Sequence, residues 1–129
     1  MRDIAQLYKT FSDDTRLKML WLLLNQEELC VCDFMEVLAL PQSTASRHLR
    51  NLLVAGLVAD RRAGLWVYYS LRSDLSEGVK AHVEAVRATL MNCKEVERLD
   101  SVLAAWRARK DGGQRCAGSP EVTSLSQKE

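Results

Sequence analysis

The chain has 129 residues, of which 47% are hydrophobic and 27% are charged, and its formal net charge at pH 7 is +1. This length is enough for one compact domain with its own core, and the composition is typical of globular proteins. A net charge so close to zero excludes a uniformly basic surface for nucleic acid, so any basic patch must be local. No apolar run is long enough for a secretory signal or a membrane span, which predicts a cytoplasmic protein whose thiols stay reduced.

Two helices are predicted ahead of the first cysteine. The first is marked by an apolar stripe at the spacing i, i+3, i+4 and i+7, formed by Ile4, Leu7, Tyr8 and Phe11. The Ser-Asp-Asp sequence at residues 12–14 can supply an N-cap and first-turn acids for a second helix, over about residues 15–25. That helix is apolar on nearly every side ("LKMLWLLL"), which predicts a position at the centre of the core.

A cysteine pair and a helix-turn-helix pattern follow. The segment "CVCDFMEVLAL" predicts a third, short helix that Pro41 ends, because the residue before a proline disfavours the helical conformation. Gln42 or Ser43 can cap a fourth helix that reaches Ala55, with the following glycine as its C-terminal stop. Two helices separated by so brief a break are typical of a helix-turn-helix motif.

Strand-forming residues alternate with turn residues after the fourth helix. The segment "LVADRRAGLWVYYSL" predicts a two-stranded hairpin in which "RRAG" forms a charged tip. Asp74 or Ser76 can begin a last helical region with two apolar stripes, and Asn92–Cys93 is the expected joint if this region forms two helices. The rest of the chain has no apolar period. We therefore predict one domain over residues 1–110 and a disordered tail over residues 111–129.

The fourth predicted helix has one apolar face and one polar face. On a helical wheel, the apolar side holds Ala45, Leu49, Leu52 and Leu53, and the opposite side holds Ser43, Arg47, Arg50 and Asn51. Arginine can bind a guanine or a phosphate through its forked guanidinium. Residues 41–72 contain five arginines against one acid, a local excess of four positive charges. These features favour DNA binding over a merely solvated charged surface.

Three segments, in this order, resemble the ArsR/SmtB family of winged-helix metalloregulatory repressors: "FSDDTRLKMLWLLL", "ELCVCD" and "PQSTASRHLRNLLVAGLVADRRAGLWVYYSL". The resemblance covers roughly residues 3–92. The short segment "ELCVCD" is similar to the binding motif of the members that respond to arsenite and antimonite. The resemblance implies a mainly α fold with a small β-hairpin wing, a winged helix-turn-helix that forms a homodimer through its terminal helices.

The resemblance also implies a function. Such a dimer binds double-stranded operator DNA, represses a resistance operon, and releases the DNA when As(III) or Sb(III) binds the cysteines, without a catalytic cofactor. The residues expected at the DNA lie on the recognition helix and the wing: Gln42, Ser43, Thr44, Ser46, Arg47, His48, Arg50, Arg61 and Arg62. His48 stands at the edge of the polar face, where it could contact DNA or close the boundary of the core.

Cys30 and Cys32 are the expected ligands, because soft thiolates select thiophilic ions. Side chains at i and i+2 of a regular helix point about 200° apart, so binding one atom through both requires a distorted segment. The start of a helix provides such a segment most easily, and its free amides are expected to lower the thiol pKa. A disulfide within the pair would be strained, which disfavours a simple redox switch.

One position departs from the arsenic-sensing pattern. Met35 stands where that pattern has a third cysteine, and a thioether is a poor substitute because As(III) prefers three thiolates. Either two cysteines suffice, or the third ligand comes from Cys93, from Cys116 in the tail, or from a cellular thiol.

Two alternative functions stay open for the same fold. The protein could sense cadmium, lead, zinc or thiol oxidation through Cys30, Cys32 and Cys93. It could also be a winged-helix protein-interaction module without DNA binding, although the arginines argue against this. No phosphate-binding loop and no Ser/His/Asp arrangement occur in the sequence, so we do not expect an enzyme.

Overall fold

A computed structural model describes residues 1–113 of the chain. In this part the elements are α1 Arg2–Phe11, α2 Asp14–Leu24, β1 Leu29–Cys30, α3 Val31–Leu38, α4 Gln42–Val54, β2 Val58–Ala63, β3 Trp66–Leu71, α5 Glu77–Leu90 and α6 Lys94–Asp111. The fold is mainly helical with one small antiparallel sheet, which confirms the predicted class. None of these helices combines the length and apolar character needed to cross a membrane. The predicted disordered tail lies outside the described residues from position 114 onward.

The second helix forms the centre of the core, as its apolar sequence predicts. Asp13 is its N-cap, and the Asp13 carboxylate accepts a hydrogen bond from the Arg16 backbone N–H at 3.1 Å. The residues that α2 buries are Met19, Leu20, Trp21, Leu22 and Leu23. Helices α1, α4, α5 and α6 all contact α2. This helix therefore sets the position of the predicted recognition helix relative to both ends of the domain.

The sheet has a third strand that the sequence did not predict. Strands β2 and β3 form the expected hairpin, and β1 adds to the free side of β3 in the order β1-β3-β2. In this pairing Leu29 lies opposite Tyr69 and Cys30 lies opposite Tyr68. A strand of two residues is too short to show a period in the sequence. Its consequence is that the first cysteine belongs to the sheet of the wing.

The hairpin turns later than predicted. Arg61 and Arg62 lie within β2, and the turn consists of Gly64 and Leu65 between the paired residues Ala63 and Trp66. Gly64 has a φ of +64°, which glycine adopts without a steric penalty and which suits a two-residue hairpin turn. The prediction of a charged tip is therefore wrong, because the arginines extend from the body of the strand.

The third helix ends at Leu38, three residues before the predicted stop at Pro41. Ala39 adopts the left-handed conformation, with φ 55° and ψ 53°. The Leu40 N–H then donates to the Met35 carbonyl at 3.1 Å, a hydrogen bond typical of a helix C-terminus that closes in this way. The left-handed turn thus ends α3 and redirects the chain before the proline is reached.

The fourth helix starts one residue earlier than its predicted caps. Pro41 is the N-cap, and its carbonyl accepts a hydrogen bond from the Ala45 N–H at 3.0 Å. Gln42 and Ser43 therefore belong to the first turn of α4 and do not cap it. The C-terminal stop is as predicted, because Gly56 follows the helix with a φ of +77°.

The C-terminal region forms two helices with a break at residues 91–93, at the expected joint. Ser76 caps α5, with its Oγ accepting a hydrogen bond from the Val79 N–H at 3.3 Å. The last helix, α6, runs back over α2 and α3 and buries the predicted stripe of Val96, Leu99, Leu103 and Trp106. Because α6 packs on α2 and α3, the apolar surface that stays open lies on the first helix, α1, and on α5.

Candidate nucleic-acid interface and metal centre

The fourth helix buries one face and exposes the other, as the helical wheel predicts. Ala45, Leu49 and Leu52 are fully buried against the rest of the domain. Thr44 is half-buried, and the fully exposed candidates on this helix are Gln42, Ser43, Ser46, Arg47 and Arg50. These residues lie in the N-terminal part of α4, the part of a recognition helix that contacts base edges in the major groove. The arrangement can therefore present two guanidiniums and several small polar groups to a duplex.

His48 is buried, which contradicts its predicted role as a DNA contact. Only 8% of its surface is exposed, and its Nδ1 lies 3.1 Å from Nη1 of Arg16. Because a guanidinium can only donate, Nδ1 must be the acceptor, and the neutral ring carries its proton on Nε2. Burial lowers the pKa of His48, and the Arg16 charge lowers it further against the opposing effect of Asp13. Of the two expected roles, the structure shows the one at the core boundary.

Arg16 connects this boundary to the first helix. Its Nε donates to the Thr10 carbonyl at 3.1 Å and its Nη2 donates to the Lys9 carbonyl at 3.2 Å, both at the C-terminal end of α1. The same guanidinium contacts His48 on α4. Arg16 therefore joins α1, α2 and α4 at one point behind the recognition helix.

The two wing arginines have different surroundings. Arg61 donates to both carboxylate oxygens of Glu28, at 2.8 Å and 2.7 Å, and its guanidinium lies 4.8 Å from the centre of the Tyr68 ring. Arg62 is exposed and lines a cavity of about 240 Å³ between the wing and α4, together with Gln42 and Ser46. Arg62 is thus on the same surface as the recognition helix, whereas Arg61 is engaged by a carboxylate that the sequence analysis did not identify.

The cysteine pair spans the junction between β1 and α3. Cys30 is the last residue of β1 and the N-cap of α3, with an extended backbone at φ −91° and ψ 166°. Cys32 is the second residue of α3, and both side chains are buried. The two residues are therefore not on one intact helix. Cys30 already has the non-helical backbone that binding of one atom by both sulfurs requires.

The environment of Cys30 opposes ionisation, contrary to the expectation from helix amides. Burial raises the pKa of the Cys30 thiol, and the adjacent Asp33 carboxylate raises it further. The Lys110 ammonium, 3.7 Å from the sulfur, offsets these effects only in part. The resting thiol is consequently protonated at neutral pH, and binding of a metal(loid) must release its proton.

Asp33 is the centre of a buried hydrogen-bond network. Its Oδ2 accepts from the Cys30 N–H at 2.9 Å, and its Oδ1 accepts from Trp106 Nε1 at 2.8 Å and from Lys110 Nζ at 2.7 Å. Burial alone would raise the pKa of Asp33, but the hydrogen bonds from Lys110, Trp106 and Cys30 hold it below its usual value. Through the bond to the Cys30 N–H, Asp33 also closes a capping box at the start of α3.

The sequence analysis missed the two partners on α6. Trp106 was identified only as the end of an apolar stripe, and Lys110 was assigned no role. One available signal was an indole in that stripe, because a buried Trp N–H needs an acceptor. The other was an acid beside the cysteines, since a buried carboxylate needs a donor.

The third sulfur predicted from Cys93 is not brought to the pair within one chain. Cys93 is the N-cap of α6, and Lys110, which contacts Cys30, stands near the other end of the same helix. At a rise of 1.5 Å per residue the two positions are about 25 Å apart. Cys93 instead lines a separate cavity of about 130 Å³ with Asp14 and Glu95.

The donor set fits a thiophilic ion only in part. No group of three or more His, Cys, Asp or Glu residues suited to a metal occurs within residues 1–113. Cys30 is a free cysteine and Cys32 is disulfide-bonded, so the two offer a pair of soft thiolates only after reduction; the reduced pair suits As(III) or Sb(III) if a third thiolate comes from another source. Cys116, one of the predicted sources, lies outside the described residues.

The open apolar surface on α1 and α5 forms a groove. A cavity of about 340 Å³ is lined there by Tyr8, Phe11, Val86 and Leu90, among others. On α1, Ile4 is 51% exposed and Tyr8 is 52% exposed, which is unusual for large apolar side chains within a stripe. His82 of α5 also lines this groove and hydrogen-bonds to the Tyr8 hydroxyl.

Comparison with known proteins gives one family. Residues 13–60 match the model described as bacterial regulatory protein, arsR family. The arsenic resistance transcriptional regulator ArsR1 of Pseudomonas putida is 42% identical over 89 residues, 67% of this chain and 70% of that protein. The arsenical resistance operon repressor of Escherichia coli is 35% identical over 113 residues, 88% of each chain. A cadmium resistance transcriptional regulatory protein CadC homolog of Staphylococcus aureus is 44% identical over 82 residues, 64% of this chain and 65% of that protein.

Solved structures share the same architecture. HlyU from Vibrio cholerae is 34% identical, with a TM-score of 0.59 over 68% of this chain and 91% of that chain. The homodimeric winged helix-turn-helix DNA-binding domain Mb0332 from Mycobacterium bovis is 28% identical, with a TM-score of 0.58 over 68% of this chain and 78% of that chain. These relatives are transcriptional regulators, so the expectation that the chain is not an enzyme is confirmed.

Proposed function

The chain belongs to the arsR family of bacterial regulatory proteins, and from this premise we propose that it represses transcription as a homodimer on operator DNA and is released by As(III) or Sb(III). The observation that carries the proposal is the position of the cysteine pair. Cys30 is hydrogen-bonded into the sheet of the wing, and Cys32 lies two residues into the helix that precedes the recognition helix. We expect this function in the cytoplasm, where thiols stay reduced.

The DNA-binding part of the proposal rests on the exposed polar face of α4 and on the wing. Arg47 and Arg50 are exposed on the recognition helix, and Arg62 is exposed on the neighbouring strand. Such a basic surface gives steep salt dependence, because each neutralised phosphate releases counterions. A winged-helix interaction module without DNA binding would show no such dependence with random duplex, so this measurement separates the two functions.

The release mechanism follows from the geometry of the junction. Cys30 already has a non-helical backbone, and drawing its sulfur and that of Cys32 onto one atom is expected to shift the junction between β1 and α3. That rearrangement moves the start of α3, which packs on α4, and the end of β1, which pairs with β3. Two half-sites must match major grooves about one DNA turn apart, so a small shift of each recognition helix costs affinity. Linkage requires operator DNA to weaken As(III) binding by the same factor.

The test uses cysteine variants under a phosphine reductant. The protein first selects an operator from a random DNA library. A fluorescent duplex that carries this operator is bound to the protein, and fluorescence anisotropy is recorded while arsenite is added. We expect arsenite to release the wild type and Cys93→Ser, and Cys30→Ser and Cys32→Ser to need at least about tenfold more arsenite. The proposal fails if the DNA stays bound when arsenic has been counted on both thiols.

A second candidate ligand is a divalent soft ion, which the similarity to a cadmium resistance regulator supports. Cd(II) and Zn(II) accept four ligands and take carboxylate oxygens, whereas As(III) takes three thiolates. The intensity of the thiolate-to-metal absorption per bound ion reports the number of thiolates on each ion. This number distinguishes As(III) from Cd(II) or Zn(II). The alternative of thiol oxidation predicts release by peroxide without any metal and reversal by the reductant.

A further inference from the structure

The buried carboxylate of Asp33 lies beside the thiol pair, and its oxygens are already in use. Oδ2 accepts from the Cys30 N–H, and Oδ1 accepts from both Trp106 and Lys110. A carboxylate offers about four lone-pair positions, so three of them are taken. The Lys110 ammonium also lies 3.7 Å from the Cys30 sulfur. The Asp33 carboxylate, a hard oxygen donor beside Cys30, is therefore held by a cation and an indole from α6.

This arrangement should favour the binding of one class of thiophilic ligand over another. Arsenous acid is neutral, and three thiols replace its three hydroxyl groups with release of three waters, so the As(III) trithiolate is neutral too. No carboxylate is needed, and the Lys110–Asp33 ion pair can persist. A divalent cation that completes its ligand set with Asp33 displaces two thiol protons from the reduced pair, competes with Lys110 for the carboxylate charge, and must approach an ammonium group.

We propose that Lys110, supported by Trp106, is a specificity-determining residue that withholds the Asp33 carboxylate from the ligand set and thereby favours As(III) and Sb(III) over Cd(II), Pb(II) and Zn(II). The inference rests on the proposed sensing function of Cys30 and Cys32. It adds a role for α6, whose Lys110 side chain is 36% exposed where it reaches the 3% exposed Asp33 side chain. A divalent ion can thus use the Asp33 carboxylate as an unopposed ligand only when this contact is removed.

The test compares Cd(II) and As(III) binding to the reduced full-length chain by thiolate-to-metal absorption. In Lys110→Met, which keeps the aliphatic stem, we expect the affinity for Cd(II) relative to As(III) to rise about 10-fold to 100-fold, the range for changes next to metal ligands. Lys110→Arg should keep the wild-type ratio, because it retains charge and donors. Lys94→Met, at the far end of α6, is the matched control. The double variant Lys110→Met/Asp33→Asn should not show the rise in Cd(II) affinity relative to As(III), because it lacks the carboxylate that Lys110→Met frees.

An unchanged Cd(II)/As(III) ratio in Lys110→Met overturns the specificity role. So does a ratio that rises equally in Lys94→Met, which would reflect net charge alone. If Lys110→Met does not unfold cooperatively, Lys110→Ala replaces it. Failure of the proposed function looks different: the wild type then shows no arsenic–thiolate absorption that depends on Cys30 and Cys32, whatever stands at position 110.

Discussion

At the scale of single residues, the charged groups around the DNA-binding face are defined by partners far away in the chain. Arg61 on the wing is paired bidentately with Glu28, the residue just before β1. His48 on the recognition helix is held by Arg16 of α2 and kept neutral by burial. The Glu28 carboxylate therefore competes with a DNA phosphate for the guanidinium of Arg61, one of the predicted DNA contacts.

Glu28→Gln tests this competition. The variant removes a carboxylate from the wing and frees the Arg61 guanidinium, so we expect tighter binding to duplex DNA. If one more phosphate is neutralised, the slope of log K against log salt becomes steeper by about 0.9. The measurement is fluorescence anisotropy at several salt concentrations.

Asp74→Asn is the matched control, because Asp74 also makes a bidentate pair with an exposed arginine, Arg72. An equal effect in both variants would mean that only net charge matters. Weaker binding in Glu28→Gln would mean that Glu28 holds Arg61 in its DNA-binding position.

At the scale of elements, α6 is joined to the sensing junction through Asp33. Trp106 and Lys110 donate to its carboxylate from the last turns of α6, and Cys30 donates from the end of β1. A single buried side chain thus connects the C-terminal helix, the first helix of the helix-turn-helix and the sheet of the wing. Any movement of α3 on ligand binding must also act on α6.

Asp33→Asn should reduce stability in a pH-dependent way. Asparagine keeps one acceptor oxygen but replaces the other with an NH2 group and removes the charge that pairs with Lys110. The substitution should therefore cost about 1–3 kcal/mol at pH 7, measured by urea unfolding. The folded pKa of Asp33 lies below its ordinary value of 3.8, so the unfolded chain binds the proton first as pH falls. The wild type therefore loses this stabilisation from about pH 4 downward. The difference in free energy of unfolding between the wild type and Asp33→Asn should narrow over the same pH range.

Asp100→Asn provides the comparison, because Asp100 also accepts an indole N–H, from Trp21 at 2.9 Å, but is exposed. Its substitution should cost less than that of Asp33. If the difference in free energy of unfolding between the wild type and Asp33→Asn stays constant from pH 7 to pH 3, the charged form of Asp33 does not stabilise the fold.

At the scale of the whole molecule, one domain exposes a polar surface on α4 and β2 and an apolar groove on α1 and α5. The two surfaces suit two different partners, a duplex and a second copy of the chain. The homodimeric relative from Mycobacterium bovis supports this arrangement. Because α6 packs on α2 and α3 of its own chain, the open apolar groove available to the proposed dimer lies on α1 and α5.

Ile4→Glu should convert the proposed dimer to a monomer. A charge on a half-exposed position of α1 does little to the fold but cannot be buried at an interface without a partner. We expect light scattering after size exclusion to report the monomer mass and operator affinity to fall steeply. Leu65→Glu, at the 59% exposed tip of the wing, should leave the mass of the dimer unchanged. A dimer that survives Ile4→Glu would rule out this groove as the interface.

Much of this molecule is readable from local sequence. Hydrophobic spacing predicted the helices and the two faces of α4, and glycine and aspartate marked the end of α4 and the start of α2. The paired thiols and the local excess of arginine pointed to a sensing segment and a DNA-binding face. These features depend on neighbouring residues alone, because helix faces and caps repeat within one or two turns.

What only the tertiary structure decided are the contacts between residues distant in the chain. The pairing of Cys30 with the wing, the burial of His48 against Arg16, and the network around Asp33 link elements separated by tens of residues. The roughly 25 Å between Cys93 and the end of α6 that meets Cys30 likewise follows from the direction of one helix. No local pattern encodes such contacts, since they result from how α6, β1 and α4 pack around α2. Packing therefore decided which cysteines lie near one another, whereas the prediction that cysteines bind a ligand came from the sequence alone.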